Sequence, residues 1–265
     1  MEQMERLILA VPPGQTTAAG SWGLPLAHLA YRAGSGPHLF RANAPVAPRG
    51  GLMVIDDARL TGGGEAEGFC NEVLRECAAR RFTGVVCRFR TRPTALMEEI
   101  TGRLGELCGG RGLACYVSEP YGICAPKAKV IIPTALSGGS LRGRLEEAAG
   151  RFGAKRLALW VDRVAEDFLL PSPSGAGAPL TAEELQKRRE GCGANVFFSD
   201  ELCAHYFTYM AGENGHFVLF DDAGSIRKKL RVAKGLGIDT AFFPYGEMAD
   251  LLGECRGTGY LRNAG

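Results

Sequence analysis

Apolar residues in this chain fall in short unbroken runs, separated by polar-rich segments whose apolar positions recur at helical spacing. The run GLMVIDD at 51–57 is a buried strand that ends in two acids. Phe69, Val73, Leu74 and Cys77 then share one face of a helix predicted over 66–80. TGVVCRFR at 83–90 is the next strand. Pro93 opens the following helix, where its missing N–H costs nothing, and Leu96, Ile100, Leu104 and Leu107 supply that helix's inner face. LACYVSEP at 113–120 and KVIIPTA at 129–135 are two further strands. Ser140 caps a helix that turns Leu141, Leu145, Ala149 and Phe152 inward, and RLALWVD at 156–162 is again a strand.

A Pro/Ser/Gly segment, PSPSGAGAP at 171–179, interrupts this rhythm, as an inserted or mobile loop does. Thr181 and Glu184 form a capping box for a short helix. NVFFSDELCAHYFTYM and GHFVLFDD read as an insertion, over about 171–222, with a hairpin-like return. SIRKKLRVAKGLG is an amphipathic helix with Ile226, Leu230 and Ala233 inward and a glycine stop, and DTAFFPY at 239–245 is the last strand. The first 49 residues are rich in Gly and Pro and carry a weaker pattern. A strand over 6–10 around LILAV, a helix at LPLAHLAYR and a second strand at HLFRA, 38–42, are the expectations there.

Eight apolar strands separated mostly by helices imply a parallel sheet covered on its faces. The predicted fold class is α/β, a (β/α)8 TIM-type barrel in one domain over 1–265, with a small insertion before the last helix and strand. The competing architecture is an open doubly wound sheet. That fold usually carries a glycine-rich phosphate turn after its first strand, and Pro12-Pro13-Gly14-Gln15 is a poor candidate for one.

A chain of 265 residues has the length of such a barrel. With 31 basic and 29 acidic residues the net charge is +2, which argues against a nucleic-acid partner. The basic run Arg227-Lys228-Lys229 is expected to form a solvated helix face. No apolar window reaches the length of a membrane span, and the N-terminus lacks a signal-like stretch, so the expectation is a cytoplasmic protein with no membrane partner. The 9 cysteines are odd in number and lack C-x-x-C spacing, and the 4 histidines are scattered. Buried reduced thiols follow, with no metal site and no cofactor.

Two segments carry a family resemblance. NVFFSDELCAHYFTYM, followed by GHFVLFDDAGSIRKKLRVAKGLGIDTAFFPYGE, resembles the late insertion, the helix start and the final strand of family 18 glycoside hydrolases, in particular the spore-cortex-lytic type. FCNEVLRECAARRFTGVVCRFR resembles the helix and fourth strand that bear that family's D-G-x-D-x-D-x-E motif. The resemblance implies a bacterial, sporulation-related TIM barrel. Laid over 83–90, the motif puts its glycine on Gly84 and its four acids on Thr83, Val86, Arg88 and Arg90. The last motif position is the family's proton donor. An arginine there cannot give up a proton usefully near neutral pH. The family's tyrosine after the sixth strand has no counterpart in KVIIPTALS, and its tryptophan after the last strand is replaced around Phe243-Pro244-Tyr245. The resemblance therefore implies the fold without the usual chemistry.

Alternation along the strand puts Val86, Arg88 and Arg90 on one face, directed into the barrel if the family register holds. Acids at other strand ends, Asp56, Asp57, Glu119, Asp162 and Glu247, are then the available partners, with Asp57 and Glu119 the nearest expected. They either close a salt-bridge network or leave the arginines free for a carboxylate or phosphate. Glycoside hydrolysis would need two carboxylates at ~5–9 Å, and Glu119, Asp162 and Asp57 are the candidates. Tyr116, Tyr121, Trp160 and Tyr245 offer rings for a sugar or for packing, and Asp221 or Asp222 is expected to cap the helix near Ser225. The expected ligand site is thus Arg88, Arg90, Asp57, Glu119, Tyr121, Asp162, Tyr245 and Glu247. The expected function is a non-catalytic barrel, a pseudoenzyme that binds a carbohydrate, a small anion or a partner protein. The alternative is a divergent glycoside hydrolase acting on amino-sugar glycans. A barrel enzyme of unrelated chemistry that holds a charged substrate is a third class.

Overall fold

The computed structural model describes residues 4, 6–43, 47–60, 63–136, 138–171 and 175–255. Residues 172–174 of the predicted Pro/Ser/Gly loop lie outside them.

The chain opens with β1 (Arg6–Val11), buried from Leu7 onward, then a single turn α1 (Thr16–Gly20), β2 (Leu26–Gly34) and β3 (His38–Arg41). β4 (Leu52–Arg59), α2 (Ala66–Arg80), β5 (Gly84–Arg88), α3 (Ala95–Gly109), β6 (Ala114–Ser118), β7 (Lys129–Pro133), α4 (Leu141–Phe152) and β8 (Leu157–Trp160) follow. The alternation expected from the sequence is present here. Phe69, Val73 and Cys77 are buried along α2, and the side chains of Thr94 and Ser140 cap α3 and α4. An insertion then carries β9 (Ala165–Leu170), β10 (Ala178–Pro179), α5 (Ala182–Cys192), β11 (Phe197–Ser199), β12 (Ala204–Ala211) and β13 (Asn214–Phe220). The chain returns through α6 (Ala223–Gly235) to β14 (Thr240–Pro244) and ends, within the described residues, in α7 (Tyr245–Met248) and α8 (Leu252–Cys255).

Eight parallel strands run in the order β1-β14-β8-β7-β6-β5-β4-β2, and pairing of β1 with β2 closes the barrel. β2 corrects the expectation for the first 49 residues: LPLAHLAYR is the second barrel strand, not a helix. HLFRA is β3, which folds back antiparallel on β2 and is outside the barrel. Leu26, Ala27, Leu29, Ala30 and Tyr31 satisfy a helical period, but as a strand they serve both the interior and the outer layer. The inserted sheet, in the order β10-β9-β13-β12-β11, begins at Ala165, ahead of the predicted 171. α5 packs Leu185 against Phe207, Val218 and Phe220 on one of its faces.

The barrel interior is filled by Ile8, Ala10, Leu52, Val54, Val86, Tyr116, Ile131, Ala158, Trp160 and Phe242, so it is a packed core and not a pore. Two larger clusters fill the layer between strands and helices, and they contain Cys70, Cys77, Cys87, Cys108 and Cys115 as free thiols. Burial pushes the Cys70 and Cys77 thiols up to about 12. Gly84 is required by close approach: a Cβ there would meet the Ala114 carbonyl oxygen at 2.3 Å.

The two acids of each Asp-Asp pair face different ways. Asp222 caps α6 in a box with Ser225, while Asp221 is buried against the Lys229 ammonium. Lys229 is 1% exposed, so the basic run at 227–229 is not wholly a solvated face, because Asp221 draws its last member into the layer beneath. Asp221 also accepts from Ser225 Oγ and from the Val164 N–H, so the buried charges are hydrogen-bonded on both sides.

Candidate functional site

The C-terminal ends of the parallel strands form the mouth, where barrels of this type keep their sites. Three adjacent strands set one wall. Register places Arg32 of β2 beside Asp56 of β4, and Asp56 beside Arg88 of β5. These three side chains, with Leu29 and Val54, line a cleft of about 310 Å³. Arg88 reaches across the lumen from β5 and lays its guanidinium 3.9 Å over the Trp160 ring of β8. That indole also stacks on Phe242 at 5.7 Å. Among the described residues no carboxylate lies within ion-pair distance of Arg88, and no protein group accepts from Trp160 Nε1.

The opposite wall carries two acids. Asp162 stands two residues past Trp160, and Glu247 lies in α7, immediately after β14. β8 and β14 are neighbours. Burial raises the Asp162 carboxyl above its ordinary range, while Arg88 and backbone hydrogen bonds from Ala135 and Thr134 pull it back down. Glu247 is raised by burial and by the Asp162 charge, against the pull of Arg88. Arg88 itself is lowered, first by burial and then by Arg90, while Asp162, Glu247 and Asp56 raise it. Each group thus sits in the field of the others. A second cleft, of about 610 Å³, adjoins Glu247 and runs between the mouth and α5, over Leu180, Leu185 and Phe220 and past Arg163 and Arg189.

The structure brings together Arg88, Asp162 and Glu247 of the expected site, with Arg90 at the rim. The Arg90 side chain is 61% exposed and touches Asp56 at 3.4 Å. Four expected members lie elsewhere. Asp57 faces outward from β4 and is buried, and its carboxylate accepts the N–H groups of Arg90 and Thr91 and the Thr91 hydroxyl. It holds the backbone after β5 and does not pair with either guanidinium. Glu119 follows the end of β6, in a turn of 3-10 helix, and is engaged by both Nη atoms of Arg144 on α4. Tyr121 and Tyr245 are buried in the layers between strands and helices, and Tyr121 meets Phe89 edge-on. The sequence reading missed Arg32, because a helix at LPLAHLAYR gave it no place on the barrel. Trp160 was legible as a ring at a strand end, but its arginine lid was not. Among the described residues no group of three or more His, Cys, Asp or Glu is placed to hold a metal ion, and no helix is long and apolar enough to cross a membrane.

No protein-family model matches the sequence, and no curated protein matches it either. Solved structures do. A chitinase from Chromobacterium violaceum superposes with a TM-score of 0.71 at 15% identity, over 97% of this chain and 99% of that one. The spore cortex-lytic enzymes SleL of Bacillus cereus and Bacillus megaterium give TM-scores of 0.68 and 0.66 at 15% and 14% identity. They cover 96% and 91% of this chain and 75% and 71% of theirs. At these identities the likeness is one of fold: the chain is a closed α/β barrel of the kind found in family 18 chitinases and spore cortex-lytic enzymes.

Proposed function

We propose that this barrel binds a small anionic ligand, or an acidic carbohydrate, in its mouth without cleaving it. The observation that carries the reading is the Arg32–Asp56–Arg88 row, in which the half-buried Arg88 guanidinium has no protein carboxylate within ion-pair distance among the described residues. A planar five-donor group left in that state matches a carboxylate or phosphate. The strand that carries Arg88 contributes no acid between Gly84 and Arg90, so it supplies no proton donor. Trp160 is 2% exposed and in contact with Arg88 and Phe242, so the indole is not free to stack on a sugar ring.

Calorimetric titration with inorganic phosphate and glucose 6-phosphate tests the reading. Binding that falls at least about tenfold in Arg88→Ala is expected, the worth of one charge-assisted contact. Absence of binding to wild-type protein at millimolar ligand overturns it.

One observation favours the second reading, a divergent glycoside hydrolase acting on amino-sugar glycans. Burial raises both Asp162 and Glu247, and the Asp162 charge raises Glu247 further, as in the paired carboxyls of glycosidases. Turnover of an aryl N-acetylglucosaminide that is abolished by both Asp162→Asn and Glu247→Gln would establish that reading in place of the first. General acid catalysis is worth about 10²–10⁴-fold, so the loss would be plain.

A further inference from the structure

We propose that the anion bound in this mouth is a sugar carboxylate, held through its carboxylate by Arg32 and Arg88 and through a neighbouring hydroxyl by Asp56. The inference rests on the anion-binding reading above and specifies the chemical class of the ligand.

All three side chains line one cleft, of about 310 Å³, together with Leu29 and Val54. Register sets them side by side on three adjacent strands, with Asp56 between the two arginines. Among the described residues the row's ion pair is that of Asp56 with Arg90, and neither Arg32 nor Arg88 has a carboxylate within ion-pair distance. Each of these two lies over an aromatic ring instead, Arg32 over Phe40 at 5.9 Å and Arg88 over Trp160 at 3.9 Å. A guanidinium backed by a ring keeps its N–H fork around its edge, and that fork matches the two coplanar oxygens of a carboxylate.

Asp56 decides what else the ligand carries. A carboxylate standing between two arginines weakens the binding of any anion that brings nothing to it, and most of all a doubly charged phosphate. A hydroxyl beside the anionic group turns that repulsion into a hydrogen bond, because an ionised carboxylate only accepts. Asp56 Oδ1 accepts the Ala58 N–H at 2.8 Å. Its Oδ2 meets the exposed Arg90 guanidinium at a long 3.4 Å, which leaves a lone pair for a hydroxyl. Leu29 and Val54 supply an apolar surface for the C–H face of a ring. Ligand pockets run from about 300 to 1,000 Å³, so this cleft is sized for a single ring. A sugar acid brings a carboxylate, adjacent hydroxyls and an apolar face together in one such ring.

Two carboxylates separate this inference from the one beneath it. Glucuronate and cyclohexanecarboxylate share a ring and a carboxylate and differ in the hydroxyls. Calorimetry on the wild-type protein is expected to show glucuronate binding at least about tenfold tighter, the worth of one hydrogen bond to a charged group. It is also expected to bind more tightly than glucose 6-phosphate. In Asp56→Ala the ratio between the two carboxylates is expected to collapse toward one. Equal affinity for both in the wild-type protein overturns the hydroxyl contact and leaves the anion site standing. Glucose 6-phosphate that binds more tightly than glucuronate overturns the choice of carboxylate and again leaves the anion site. Binding of none of the three at millimolar ligand overturns the anion site itself. Glucose that binds as tightly as glucuronate also overturns the proposal, because the arginines would then contribute nothing. The wild-type comparison needs no substitution, so a variant that fails to fold does not blunt it.

Discussion

Replacing Arg88 by methionine tests how the mouth is held together. The substitution keeps the length of the side chain and much of its contact with Trp160, and a thioether against an aromatic ring is worth ~0.3–1.5 kcal/mol. What is lost is the cation over the indole at 3.9 Å, worth up to about 2 kcal/mol when desolvated, and the positive field on Asp162 and Glu247. Those two carboxyls already bind their protons more tightly folded than unfolded. Each therefore subtracts stability as pH rises from the ordinary carboxylate range through its raised folded value. Arg88 draws both values down, so without it they climb further and the loss extends to higher pH. Arg88→Met is expected to cost least at the acid end, under about 1 kcal/mol, and about 1–3 kcal/mol near pH 7. At ~2–4 °C per kcal/mol for a chain of this size, that is a few degrees of Tm at neutral pH. Thermal melts of the two proteins between pH 4 and pH 8 measure the gap, and adding Glu247→Gln should narrow it at pH 7. A deficit of about 3–5 kcal/mol at neutral pH would mean that Arg88 is half of a buried ion pair, and a deficit that is the same at every pH would mean that Arg88 does not act on the two acids. A deficit that grows toward acid would invert the sign of the linkage and refute the arrangement.

Two more perturbations report on the frame around the site. Lys229→Met leaves the Asp221 carboxylate buried without its cation and should cost about 3–5 kcal/mol in denaturant unfolding; the double variant with Asp221→Asn should recover part of that, and additive losses would contradict the pairing. Gly84→Ala drives a methyl into the Ala114 carbonyl across the β5–β6 ladder and should cost about 1–3 kcal/mol, read as a lower Tm; an unchanged Tm would mean that the two strands can part there.

The sequence carried the barrel because burial on both faces leaves an apolar run that periodicity detects. Seven of the eight barrel strands were legible in this way, from LILAV to DTAFFPY, as were α2 over 66–80 and the caps at Ser140, Thr181 and Asp222. β2 was not, because a strand that serves the interior on one side and the helix layer on the other satisfies a helical period as well. Only its neighbours β1 and β4 decide which hydrogen bonds it makes. The charges divide along the same line. Alternation put Val86, Arg88 and Arg90 on one face, since a strand sends every second side chain to one side, and the family register turned that face inward. The partners of each charge were beyond it. Asp56 and Asp57 are adjacent and chemically identical, yet one joins the arginine row and the other, on the opposite face, binds the backbone after β5. Glu119 was lost to the mouth because β6 ends at Ser118 and the following turn delivers it to Arg144 on α4. That Arg163, next to Asp162, meets Glu247 across 84 residues depends on the insertion returning β14 to the side of β8, a distance in sequence that no local pattern spans.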